Sequence, residues 1–159
     1  MYFDALSFLE DEREAWAPFE ALSKLSDEEL SRPTDPDGPA HGWAGRDLMA
    51  HLAGWQDIAL REARELAVHE TSPTMADADA DWEARGPDVI NAEMLLAWGA
   101  LPMSEVRRRF EQTAGELRGY LTVVPEARWV KNPAHLEAFL AETMDHYREH
   151  LPELDAILG

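Results

Sequence analysis

Residues Trp43 to His69 read WAGRDLMAHLAGWQDIALREARELAVH. Within that run Leu48, Leu52, Trp55, Ala59, Glu62 and Leu66 recur at intervals of three and four, which lines one side of an α-helix and does not alternate as a half-buried strand does. The same period returns in three other windows. Phe3 to Leu25 places Leu6, Leu9, Trp16, Phe19 and Leu22 inward, with Pro18 as the expected site of a kink. Glu105 to Val123 places Val106, Phe110, Leu117 and Leu121 inward, with Ser104 as the expected N-cap. After NPAH, a last helix to about Leu158 carries Leu136, Phe139, Leu140, Thr143, Tyr147, Leu151 and Leu154. No window alternates with period two, so the pattern predicts an all-α chain.

The joints are equally legible. SDEEL offers Ser26 as a cap with acids in the first turn, and SRPTDPDGPAHG, with three prolines and two glycines, reads as a loop. ETSPTMADADADWEARGPD reads as a long connection of mixed character, followed by a short helix in DVINAEMLLAW that stops near Gly99 and Pro102. Four helices of about twenty residues with two long connections predict a four-helix bundle with crossover connections. An irregular all-α orthogonal arrangement is the alternative.

Composition bounds what such a chain can do. Its 159 residues suit one domain, 1–159. With 14 Lys plus Arg against 32 Asp plus Glu, the net charge of −18 repels phosphate backbones and anionic lipid, so nucleic acid and membrane surfaces are excluded as partners. There is no cysteine, hence no disulfide, no Cys-ligated zinc and no protein thiol nucleophile. MYFDALSFLEDERE lacks a basic leader, and no stretch is apolar enough to span a bilayer, so a cytoplasmic location is expected.

Chemistry concentrates in DHYREHLPEL, residues 145–154. On a helix His146 and His150 stand about 40° apart around the axis and roughly 6 Å apart along it, at the seam between core and solvent. His51 flanks the stripe of the Trp43 to His69 helix in the same rotational sense. Three imidazoles from two helices can hold a divalent metal and leave a coordination position open for substrate, whereas a surface His pair at helical spacing is the plain alternative. His69 lies about 27 Å from His51 along its helix, and His135 about 16 Å before His146, so neither joins the cluster. His41 sits in a loop and has no assigned place.

HYREH also fits the H-x-x-E-H inverted zincin pattern, but that site needs a downstream ligand and only nine residues follow His150. Ferritin-like di-iron chemistry needs Glu-x-x-His on two helices, which the chain lacks. Asp47, one turn before His51, is a candidate to orient that ring. Glu149 and Tyr147 are the other candidate catalytic residues, and Trp43 and Trp55 are candidate walls of a crevice.

The order and spacing of GWAGRDLMAHLAGWQ, LPMSEVRRRFEQTAGELRGYL and ETMDHYREHLPEL resemble the DinB/YfiT-like bundles, from about Trp16 to Leu158. That resemblance implies an up-down-down-up four-helix bundle, a homodimer, and nickel, zinc or a similar divalent metal held by His51, His146 and His150. It also implies a small-molecule substrate. Family members include thiol transferases that use bacillithiol or mycothiol, mycothiol-dependent maleylpyruvate isomerases and colibactin-resistance hydrolases. The isomerases carry a second domain, so their reaction is the less expected one here. The implied activity is transfer of a low-molecular-weight thiol to a small electrophile, or hydrolysis of one. Metal-independent hydrolysis or sequestration, and a non-catalytic interaction bundle, are the alternatives.

Overall fold

A computed structural model describes residues 2–159, and among them every regular element is helical. α1, Ala5–Trp16, opens on Asp4, whose carboxylate accepts from Ser7 N–H. Pro18 does not kink it. The chain instead tightens into a 3-10 segment, Ala17–Lys24, so the expected single helix becomes two. α2, Asp27–Ser31, carries the full capping box of Ser26 and Glu29.

α3, Gly45–Val68, is the axis of the molecule, packing on α4 (Pro73–Arg85), α5 (Pro87–Gly99) and α6 (Met103–Val123). It also packs on α7 (Pro133–Glu142) and α9 (Leu151–Leu158). Being enclosed, it buries far more than one stripe: residues 48 to 54 are all buried. Two apolar cores meet along it. One gathers Trp16, Phe19, Leu22, Leu52 and Phe110, and the other Phe8, Leu66, Leu117, Trp129 and Phe139.

Three further expectations differ from the structure. The segment read as a connection after His69 contains α4, whose Ser72 cap accepts from Met75 N–H and whose stop is Gly86 at φ 82°. Its ADADAD run has no apolar stripe, and only Met75 is buried, so periodicity could not reveal it. Glu65 anchors its first turn to α3, accepting from Ser72 Oγ at 2.8 Å and Thr74 Oγ1 at 2.5 Å. Ser104 is not the cap of α6; Pro102 holds that position. In α1, Leu6 is exposed while Phe8 and Glu12 are buried, because Glu12 has partners inside, Arg118 and Tyr147.

The last expected helix is broken twice. α7 ends at Thr143, whose hydroxyl donates to Phe139 O, and α8, Met144–Glu149, ends at His150 with φ −99° and ψ 8°. Pro152 explains the second break: it has no N–H to donate to Arg148 O, and its ring would crowd that carbonyl in a continuous helix. Leu151, expected inside, is consequently turned toward solvent. No described helix is long and apolar enough to cross a membrane.

Candidate metal centre

His51, in the second turn of α3, meets His146 from α8 and His150 from the α8–α9 break. Nε2 of His51 lies 2.8 Å from Nε2 of His146 and 2.9 Å from Nε2 of His150. One ligand nitrogen from each ring falls within 4.8 Å of the other two. The break at His150 is part of this geometry, since it gives that residue a backbone conformation outside the helix while its ring stays 4.7 Å from His146 and 4.5 Å from His51 between centroids.

Burial decides the protonation of His51 and His146. Desolvation first, and then the neighbouring imidazole of His150, push the His51 ring down to about 3. Desolvation followed by the charges of His51 and His150 takes His146 down to about 2. Both rings are therefore neutral at physiological pH, each with a lone pair to give. His51 Nε2 has one in-plane direction and two nitrogen neighbours, so it cannot make a well-aligned hydrogen bond to both.

A cation resolves that frustration. Metal–nitrogen bonds near 2.05 Å set cis nitrogens about 2.9 Å apart at right angles and about 3.3 Å apart at the tetrahedral angle. The two short separations are close to the first value, and a three-nitrogen set leaves coordination positions free in either geometry. Nδ1 of His51 and of His146 is buried without a hydrogen-bond partner. Glu153 Oε1 stands 3.2 Å from His150 Nδ1, near enough for a charge contact but off the line of a hydrogen bond.

The triad forms one wall of a cavity of about 870 Å³. Trp43 packs against His51 and His150 with centroids 5.1 and 6.1 Å away, and Trp55 lies 6.2 Å from His146. Both tryptophans line the cavity, as the sequence suggested. Trp55 is fixed from both sides: its Nε1–H donates to Asn91 Oδ1 at 2.9 Å, and its ring meets Trp82 edge-on at 5.6 Å. Asn91 belongs to α5 and Trp82 to α4, so the two helices after α3 supply the facing wall.

The other candidate residues divide. Glu149 is exposed and lies on the cavity wall. Asp47 does not orient His51; its carboxylate accepts from Ala44 N–H at 2.9 Å and closes the first turn of α3. Tyr147 is outside the site as well. It is fully buried, donates its hydroxyl to Glu12 Oε1 and accepts from Gln56 Nε2, both at 2.9 Å. Next to His146 in sequence, it turns its hydroxyl to partners on α1 and α3 and takes no part in the cavity wall. His135 is a structural residue, because its Nδ1 sits 2.5 Å from Arg128 O and a carbonyl can only accept.

Much of the wall escaped the sequence reading, including Asp79, Trp82, Asp88, Asn91, Glu142 and Glu153, and His41, left unplaced there, joins it. His41 holds φ 53°, followed by Gly42 at φ 84°, and this left-handed pair turns the loop onto the cavity. Asp79 and Trp82 were hidden with α4. The Ser-Pro start and Gly-Pro stop around 72–87 were the available signal for it. No protein-family model matches the chain, and neither does any curated protein or solved structure.

Proposed function

We propose that this chain is a divalent-metal enzyme of the DinB/YfiT-like four-helix-bundle type that joins a low-molecular-weight thiol to a small electrophile, or hydrolyses one. The observation that carries the reading is the convergence of three imidazole nitrogens, from α3, α8 and the α8–α9 break, on the wall of a cavity sized for a small molecule. When bound there, a divalent cation lowers the pKa of a thiol or water that reaches its open position, making a nucleophile available near neutral pH.

The chain's own residues do the rest. His51 and His146 offer neutral nitrogens because burial keeps protons off them. Trp43 covers the outer faces of His51 and His150 and keeps water from that side of the cluster. Glu149, solvent-accessible on the wall, is placed to take the proton released by the nucleophile and pass it to solvent or to the leaving group. In transfer, the sulfur of the incoming thiol forms a bond to the electrophilic carbon, and the leaving group departs with its electron pair. With no cysteine in the chain, the thiol comes from a co-substrate.

The test uses metal content and turnover together. Zinc- or nickel-loaded protein is expected to retain about one ion per chain, and His51→Ala or His150→Ala to lose it, while His69→Ala and His135→Ala retain it. Loaded protein is then given monochlorobimane with bacillithiol, mycothiol, glutathione or water alone, and chloride release is followed. Turnover that needs both metal and a thiol supports transfer, and turnover with water alone supports hydrolysis. Retention of metal by His51→Ala would remove the triad assignment, and absence of metal-dependent turnover would leave sequestration as the better reading. The same resemblance carries a homodimer, for which light scattering is expected to give twice the chain mass of 17.9 kDa.

A further inference from the structure

Away from the histidines, the cavity has a second chemical character. Five carboxylate side chains line it, Asp79, Asp88, Glu142, Glu149 and Glu153, and no lysine or arginine does. Exposed acids are unremarkable on so acidic a chain. Glu142 and Glu153 are different: they are only 8 % and 9 % exposed, both lie on the cavity wall, and Oε2 of each has no hydrogen-bond partner. Glu153 stands against His150, and Glu142 is the one away from the histidines. Behind it stands Glu62 of α3, wholly buried, whose carboxyl has no partner apart from Glu142.

Two buried carboxylates side by side cannot both remain ionised. Desolvation, and then each other's charge and hydrogen bond, hold the Glu142 carboxyl well above the ordinary carboxylate range. Desolvation likewise raises Glu62, to about 7. A proton on one turns the repulsion into a hydrogen bond accepted by the other, and the shared bond favours that proton on Glu142, so near neutrality the pair carries at least one proton and at most one negative charge. Nothing else in the cavity wall neutralises that charge. A cation beside Glu142 would draw the charge to the cavity side and leave the proton on Glu62.

The surroundings specify the rest of the cation. Trp55 and Trp82 stand edge to face in the same wall, offering π surfaces that attract an organic cation as well as its hydrocarbon. Ala138 and Ala141 of α7 leave room beside Glu142. We propose that the cavity takes an amphipathic organic amine, its protonated nitrogen seated against Glu142, its carbon body between the tryptophans and the α7 alanines, and its remaining end toward the three histidines. This names the substrate class for the cavity read above as a substrate site, and it rests on that reading but not on the presence of a metal.

Tryptamine and its neutral counterpart tryptophol are the probes, titrated against chelator-treated and zinc-loaded protein while the indole N–H resonances of the tryptophans are followed. In both forms tryptamine is expected to bind about tenfold more tightly than tryptophol. Glu142→Gln is expected to reduce that ratio to about one, whereas Glu62→Gln, which leaves the Glu142 carboxyl free to ionise beside the amine, preserves it. The proposal is overturned if the two probes bind equally to the wild type, or if tryptamine shows no binding up to about 10 mM. It is also overturned if Glu142→Gln keeps the preference, or lowers zinc content instead, which would make the carboxyl a support of the metal centre. Because the comparison on unsubstituted, chelated protein needs no histidine ligand, loss of the metal reading by His51→Ala leaves its outcome intact.

Discussion

Replacing Tyr147 by Phe separates structural from catalytic roles in the stretch that carries the site. The substitution removes a single oxygen from a side chain with no solvent exposure. That oxygen donates to the buried carboxylate of Glu12 and accepts from Gln56 Nε2, each at 2.9 Å. A hydrogen bond to a charged acceptor contributes about 1.5–3 kcal/mol, and a buried amide left without its acceptor costs about 1–3 kcal/mol. Glu12 keeps its ion pair with Arg118, which limits the damage on that side. The expected loss is roughly 2–4 kcal/mol, or a fall in Tm of about 5–15 °C for a domain of this length. Thermal and urea unfolding of the zinc-loaded protein, with metal content measured on the same samples, provide the assay. Metal content is expected to be unchanged, since the hydroxyl faces away from the triad. A variant of wild-type stability, or one that loses its metal while keeping its stability, would refute this account of the core.

The Glu62–Glu142 pair gives a pH signature. Glu62 has its folded pKa raised to about 7 from 4.5, so its contribution to stability is full below 4.5 and is lost as pH rises toward 7. The rings of His51 and His146, lowered on folding, act oppositely, with stability lost as pH falls from about 6.5 through about 3. Glu62→Gln is therefore expected to gain on the wild type between about pH 5 and about pH 8 by up to roughly 3 kcal/mol, read from urea midpoints. A difference between the two proteins that does not change with pH would dismiss the shared proton. At Gly54, where an added Cβ would lie 2.2 Å from Met94 Sδ, Gly54→Ala is expected to destabilise by about 1–2 kcal/mol despite its better helix propensity. Adding Met94→Ala should cancel that close contact in a double-mutant cycle, and a stabilised Gly54→Ala single variant would count against the packing of α5 on α3.

The histidine cluster is legible in the sequence because it depends on helical arithmetic at short range. His146 and His150 are four residues apart, and His51 flanks an apolar stripe whose phase is plain. The break at His150 displaces the backbone without parting the rings, so the arithmetic survives it. The all-α class, the capping box at Ser26 and the loop before α3 follow from equally local patterns.

What local pattern could not supply is the inward direction of polar groups. Glu12, Glu62 and Glu142 are buried only because a partner from a distant part of the chain, or from across a helix pair, meets each of them. A carboxylate in sequence reads as solvent-facing until that partner is known. Tyr147 and Asp47 failed as catalytic candidates for the same reason: adjacency to a site histidine places the backbone, while the hydrogen-bonding partner decides which way the side chain serves. The far wall of the cavity rests on α4, a helix with almost no apolar face. It is held by its caps and by its attachment to Glu65, so its place beside the histidines was set by tertiary contacts and not by its own periodicity.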